Sequence, residues 1–214
     1  MTTIHDAYIN ALLADAAYAI NSEVESGNDL TTVSKLNERM TPTLTQYISD
    51  NFTVVTSVDT SEYLGSGFDA TVWRGKAGTE FAGRTYVSMK GTEGLSDFIT
   101  DLDLTVSGAA KNQIVDMVNW WLKNTAAAGQ PAKQIALAVN NGLVAVFVNA
   151  PTVLGTGILS NVSNVIVDGH SLGGHLATAF TRLFGGQWPV EHTYTYNSAG
   201  FTARVGRTRL RYAV

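Results

Sequence analysis

The run NVIVDGHSLGGHLATAF, residues 164–180, constrains this chain more than any other stretch. Residues 164–169 are short, β-branched and apolar without alternation, which is what a strand buried on both faces of a parallel sheet requires. A small-residue helix over 172–184 follows at once. Only a tight turn fits between them, and Gly169, Gly173 and Gly174 surround it. A parallel strand feeding directly into a helix commits the chain to an α/β architecture.

The remaining sequence agrees with that class. Ile4, Tyr8, Ala11, Leu12, Ala16 and Ile20 recur at helical spacing, predicting an amphipathic helix over 4–20. A second helix begins near Thr41, with Pro42 in its first turn. The runs 52–58, 68–75 and 84–91 read as strands, 111–129 as a helix with Ile114, Met117, Val118, Trp121 and Leu122 on one face, and 192–197 as a further strand. Residues 132–148 are assigned to a helix, with a strand as the alternative at the Val-rich end. The apolar stretch 142–159 is interrupted by Asn149, Pro151 and three glycines, so it is expected to be buried and not to span a membrane. No linker or repeat divides the chain, and 1–214 is taken as one domain.

Composition narrows the partners. The charged fraction is 15% and the net charge −4, which gives nucleic acid or an anionic membrane no basic face to meet. There is no cysteine, so disulfides, thiolate metal sites and a cysteine nucleophile are excluded together. The amino terminus has no basic region ahead of an apolar core and does not read as a signal peptide. Secretion by another route and cytoplasmic residence fit equally well.

The chemistry centres on Ser171. A serine on a sharp strand-to-helix turn is held exposed, and glycines two residues to either side, Gly169 and Gly173, remove the side chains that would block it. The turn aims the Leu172 N–H, at the positive end of the new helix, at a developing oxyanion. The competing reading makes Ser171 a helix cap only. A cap needs no glycine on both sides. His170 is expected to be packed or orienting, and His175, one helical turn on, to be packed against the sheet. A metal held by these two histidines lacks a carboxylate at ligand spacing.

A second segment, KGTEGLSDFITDL (90–102), follows a predicted strand. With GHSLGGHLA (169–177) it resembles the class 3, fungal-type lipases, whose pattern pairs a basic-Gly-Ser/Thr strand end and an Asp-Leu helix with a later Gly-His-Ser-Leu-Gly-Gly turn. Phe98 stands where that family more often has tryptophan. The resemblance covers 84–103 and 162–201. It implies an α/β-hydrolase-like fold with a mostly parallel sheet flanked by helices, a serine ester hydrolase acting through Ser171, an oxyanion hole from Thr92 and the Leu172 N–H, Asp101 as support for Thr92, and a lid around 93–110. Triacylglycerols or small esters at a lipid–water interface are the implied substrates. A phospholipase A1 or thioesterase, and a lipid-binding protein without turnover, are the alternatives.

In such folds an acid and then a histidine follow the serine. After Ser171 the sequence has no aspartate, one glutamate (Glu191) and two histidines (His175 and His192). Glu191 and His192 precede the strand 193–197, whereas catalytic loops lie beyond the carboxyl ends of parallel strands. A five-residue strand is roughly 17 Å long, far beyond hydrogen-bond reach. Triad acid and histidine therefore have no candidate here, and a hydrolase truncated at its carboxyl end is the expectation. No cofactor is expected; calcium would need ligands in a carboxyl-terminal region outside this sequence.

Overall fold

A computed structural model describes residues 3–21, 24, 27, 29–60, 66–91, 102–140 and 144–198. They form two compact units, Met1–Asp59 with Asp69–Ser96 and Asn164–Val214, and Thr60–Phe68 with Asp97–Ser163. The sequence reading takes 1–214 as one domain; in the fold the second unit is a continuous excursion between two neighbouring strands of the first, apart from the short piece 60–68.

The first unit is built on a five-stranded sheet: β1 (Phe52–Asp59), β2 (Asp69–Gly75), β3 (Thr85–Met89), β6 (Val165–His170) and β7 (Val190–Tyr196), in that spatial order. β2 is antiparallel to both its neighbours, and β3, β6 and β7 are mutually parallel. Four strands thus share one direction, and the sheet is mostly parallel, as expected. β6 is buried along its length except at His170. That is the cost-free environment for an unalternating apolar strand.

Helix α1 (Ile4–Ala16) starts with a capping box, Thr3 Oγ1 accepting from the Asp6 N–H and the Asp6 carboxylate accepting from the Thr3 N–H. It ends four residues earlier than predicted, in a 3₁₀ turn (Ala17–Ala19). Of the predicted stripe, Leu12, Ala16 and Ile20 enter the core, joined by Ile9 and Leu13, while Ile4 is 91% exposed and Tyr8 is exposed. The core they join contains Trp73, Tyr86 and Ile166, which are aligned across three adjacent strands. Phe52 meets the Tyr86 ring edge-on at 5.5 Å between centroids, a favoured aromatic geometry.

The short helix α2 (Ser34–Arg39) and α3 (Pro42–Asn51) complete this side, with Thr41 capping α3 and Pro42 in its first turn, as predicted. Helix α5 (Leu172–Phe184) matches its predicted limits and packs across β3, β6 and β7.

The second unit comprises α4 (Leu102–Thr125) and a hairpin of β4 (Pro131–Asn140) and β5 (Val144–Leu154). α4 begins nine residues before the predicted start. Met117, Val118 and Trp121 of the predicted face are buried, Gln113 and Asn124 are buried beside them, and Ile114 and Leu122 are half-buried. The helix expected over 132–148 is a correction: these residues form the hairpin. Runs of Val and Ala satisfy either period, and β-branched density favours the strand. The expected burial of 142–159 is a second correction, because Val148, Val153, Leu154 and Ile158 are exposed.

Candidate active site

The turn after β6 is a backbone device. Ser171 has φ 56° and ψ −124°, a combination that L side chains rarely adopt. It corresponds to the first central position of a type II′ turn, which favours glycine, and holding a serine there costs about 1–3 kcal/mol. The surroundings hold it. The Ser171 N–H donates to the Tyr196 carbonyl at 3.0 Å, at the carboxyl end of β7, and the Ser171 carbonyl accepts from the Gly174 N–H at 3.1 Å. Its side chain makes no capping hydrogen bond, so the cap reading fails.

The glycines are required by close backbone approach. A Cβ on Gly169 would overlap the Gly173 carbonyl, and one on Gly173 would overlap the Met89 carbonyl at the end of β3. On Gly174 it would stand 2.8 Å from the Ser198 Cβ. β3, β6 and α5 therefore meet main chain to main chain around Ser171. Leu172 opens α5, and its N–H belongs to the first turn, where helical donors have no partner within the helix.

The exit from β3 is held against this turn by groups from the amino-terminal segment. The Gly91 N–H donates to Tyr18 Oη at 2.8 Å. A Cβ on Gly91 would stand 2.9 Å from the His170 carbonyl and 3.3 Å from the Leu172 nitrogen, so only glycine lets the chain leave β3 so close to α5. One residue earlier, Lys90 is buried. Its ammonium donates to the Ile20 carbonyl at 3.2 Å and lies 3.8 Å from the Asp69 carboxylate. Tyr18 is itself fixed: the Arg39 guanidinium lies 4.6 Å from its ring centre, and Asp15 holds Arg39 through contacts of 2.7 and 3.0 Å.

A cavity of about 220 Å³ opens beside the turn, lined by Ala11, Ala14, Asp15, Arg39, His170 and Tyr196. His170, expected to be packed or orienting, is exposed, with its ring edge-on to that of Tyr18 at 6.5 Å between centroids.

Beneath the turn, Asp168 is wholly buried in β6, aligned with Ser88 of β3. The Ser88 hydroxyl accepts from the Trp73 indole N–H at 3.0 Å. Neither Asp168 oxygen makes a hydrogen bond of good geometry. Burial drives the Asp168 pKa well above the ordinary carboxylate range, and the nearby Ser88 hydroxyl opposes this only in part. At neutral pH a neutral acid in this position avoids an uncompensated buried charge.

Of the sequence-predicted site residues, Ser171, Leu172, Gly169 and Gly173 come together. Thr92 and Asp101 lie outside the described residues. Glu191 and His192 sit near the amino end of β7, His192 paired with Ile166 near the start of β6 and Glu191 at the register shift before it, at the opposite end of the strand from Ser171. Glu191 lies 3.4 Å from Arg84, which also approaches Asp6 at 3.8 Å. His192 packs on the Tyr194 ring. His175 is buried in α5, as expected. Tyr18 is not legible as a site residue, since it falls within the predicted helix 4–20 but outside its apolar stripe, and Lys90 enters the sequence reading only as the basic residue that opens the 90–102 motif. Among the described residues no cluster of three or more His, Asp or Glu side chains is arranged to hold a metal ion.

Comparison of the chain with protein-family models finds no match, and comparison with curated proteins and with solved structures finds none either.

Proposed function

We propose that the chain is a serine ester hydrolase with an α/β-hydrolase-like fold, acting on acylglycerols or other lipid esters through an acyl-enzyme on Ser171. The observation that carries this reading is the strained backbone of Ser171 at a strand–turn–helix junction, with its hydroxyl not spent on capping. Strain of this kind persists only where the surroundings impose it, and a cap or a plain turn has no use for it. In the proposed reaction Ser171 Oγ attacks the ester carbonyl carbon, the Leu172 N–H and Thr92 receive the oxyanion, and the acyl C–O bond breaks with the proton given up by Ser171 ending on the leaving oxygen, so that the alcohol departs as the acyl-enzyme forms. Asp101 orients Thr92.

A second reading, a lipid-binding protein without turnover, draws on a specific observation. The glutamate and the second histidine that follow Ser171 lie at the amino end of β7, the opposite end from Ser171. A fluorophosphonate probe separates the two. Covalent labelling that disappears in Ser171→Ala supports the activated nucleophile; an unlabelled, folded wild-type chain favours the second reading.

A further inference from the structure

At the carboxyl ends of β6 and β7 the first unit carries a cavity that the proposed reaction does not use. Ala11, Ala14 and Asp15 line it from α1, where spacings of three and four residues put all three on one face. Arg39 lines it from the end of α2, and His170 and Tyr196, partners in the β6–β7 register, from the strand ends. The nucleophile adjoins it: His170 precedes Ser171, and the Tyr196 carbonyl accepts the Ser171 N–H. In open α/β sheets ligands bind beyond the carboxyl ends of the strands. The polar part of the wall is already in place. Arg39 Nε and Nη2 both donate to Asp15 Oδ1, at 3.0 and 2.7 Å, and the guanidinium lies over the Tyr18 ring. Asp15 Oδ2 and the three other guanidinium hydrogens make no hydrogen bond among the described residues.

We propose that this cavity binds the alcohol portion of the ester, and that this portion carries two neighbouring hydroxyls on a glycerol-sized skeleton. The chemistry of the pair selects the ligand. Asp15 and Arg39 cancel each other's charge, so neither a phosphate nor an ammonium group meets an unbalanced counter-ion. They leave one strong acceptor beside several strong donors. Adjacent hydroxyls match that combination: one donates to Asp15 Oδ2, and its neighbour accepts from the guanidinium. Ala11 and Ala14 receive the carbon skeleton. At about 220 Å³ the cavity is smaller than the roughly 300–1,000 Å³ of sites that enclose drug-sized ligands, which suits a three-carbon polyol better than an acyl chain. Little ordering accompanies binding, because Asp15 and Tyr18 already hold Arg39. The inference rests on the hydrolase reading for its place in the reaction, and it narrows the substrate to a glycerol ester with a free vicinal diol.

Titration of the full chain with 1-O-butylglycerol, an ether that cannot be hydrolysed, tests binding through the His170 ring resonances in NMR spectra. A saturable shift of His170 is expected. Affinity should fall about tenfold in Asp15→Asn, and by a similar factor for 3-butoxypropan-1-ol, which lacks the second hydroxyl. Ala11→Leu, which fills the cavity, should abolish the shift; Asp15→Asn, at an exposed position, reads the site where Ala11→Leu does not fold. In turnover, the ratio of kcat/KM for 2,3-dihydroxypropyl butyrate to that for propyl butyrate should fall about tenfold in Asp15→Asn. Taking the ratio cancels any effect transmitted through Tyr18. The proposal is overturned by the absence of a saturable shift, by equal affinity for the diol and the mono-ol, by unchanged affinity in Asp15→Asn, or by a stronger response to inorganic phosphate. A chain that binds the ether but hydrolyses neither ester fails the hydrolase reading alone. One that hydrolyses both esters with equal kcat/KM and does not bind the ether fails this inference alone.

Discussion

At Ser171 the backbone conformation costs stability, and glycine is the residue that would relieve it. Ser171→Gly removes about 1–3 kcal/mol of strain and gives back about 1 kcal/mol through the greater freedom of the unfolded chain. A net gain of up to about 2 kcal/mol in chemical denaturation is expected, together with complete loss of probe labelling. Lower stability would mean that the turn is not strained. Asp168 makes a pH-dependent prediction. Its folded pKa is raised, so the fold holds a proton that the unfolded chain releases above about pH 4. The proton's contribution is fully present below that pH and is lost as pH rises through the folded value. Asp168→Asn does not titrate, and its stability relative to wild type should therefore increase between pH 4 and pH 8. A difference that stays constant across that range would remove Asp168 as a neutral buried acid. The residue types at the turn were readable in advance because steric exclusion of Cβ leaves a mark in sequence; the burial of Asp168 was not, since a lone aspartate in an apolar run fits equally well at a strand end.

Among the elements, the 3₁₀ turn after α1 does the most for the site. It presents Tyr18 Oη to the Gly91 N–H and the Ile20 carbonyl to Lys90, so two consecutive residues at the exit of β3 are tied to the amino-terminal segment. Tyr18→Phe deprives a part-buried N–H of its acceptor, at a cost of about 1–3 kcal/mol. Because that N–H is adjacent to Thr92, labelling of Ser171 should slow about tenfold while the fold persists. Undiminished labelling would show that Tyr18 serves packing alone. β7 supports the opposite expectation. Glu191 and His192 lie at its amino end, and Glu191→Gln with His192→Gln should leave labelling unchanged and cost less than about 1 kcal/mol, as for an exposed ion pair. Loss of labelling in this variant would reinstate them as catalytic partners.

Over the whole molecule, the amino-terminal helix is part of the sheet's core: Ile9, Leu13 and Ala16 pack with Trp73, Tyr86 and Ile166, and Tyr196 Oη donates to the Ala7 carbonyl. Deleting residues 1–16 should abolish cooperative unfolding in a thermal scan, and a sharp transition in the shortened chain would contradict that role. No helix among the described residues is long and apolar enough to cross a membrane. The sequence by itself determined the α/β class, the strand–turn–helix at 165–184 and the place of Ser171 on that turn, because glycine spacing, an unalternating β-branched run and a helical stripe are local consequences of backbone sterics and burial. It also located Glu191 and His192 on the wrong side of a strand, an inference that needs only strand direction. Tertiary structure alone decided the rest. The choice between helix and hairpin over 131–154 turned on pairing between β4 and β5, which a period shared by both forms does not encode. That Ile9 and Leu13 join Leu12, Ala16 and Ile20 in the core followed from the sheet that α1 packs against, and Val148, Val153 and Leu154 of β5 are exposed. Tyr18 reaches Gly91 across 73 residues of chain. Contacts of that kind arise from the packing of distant segments, and no local pattern in the sequence carries them.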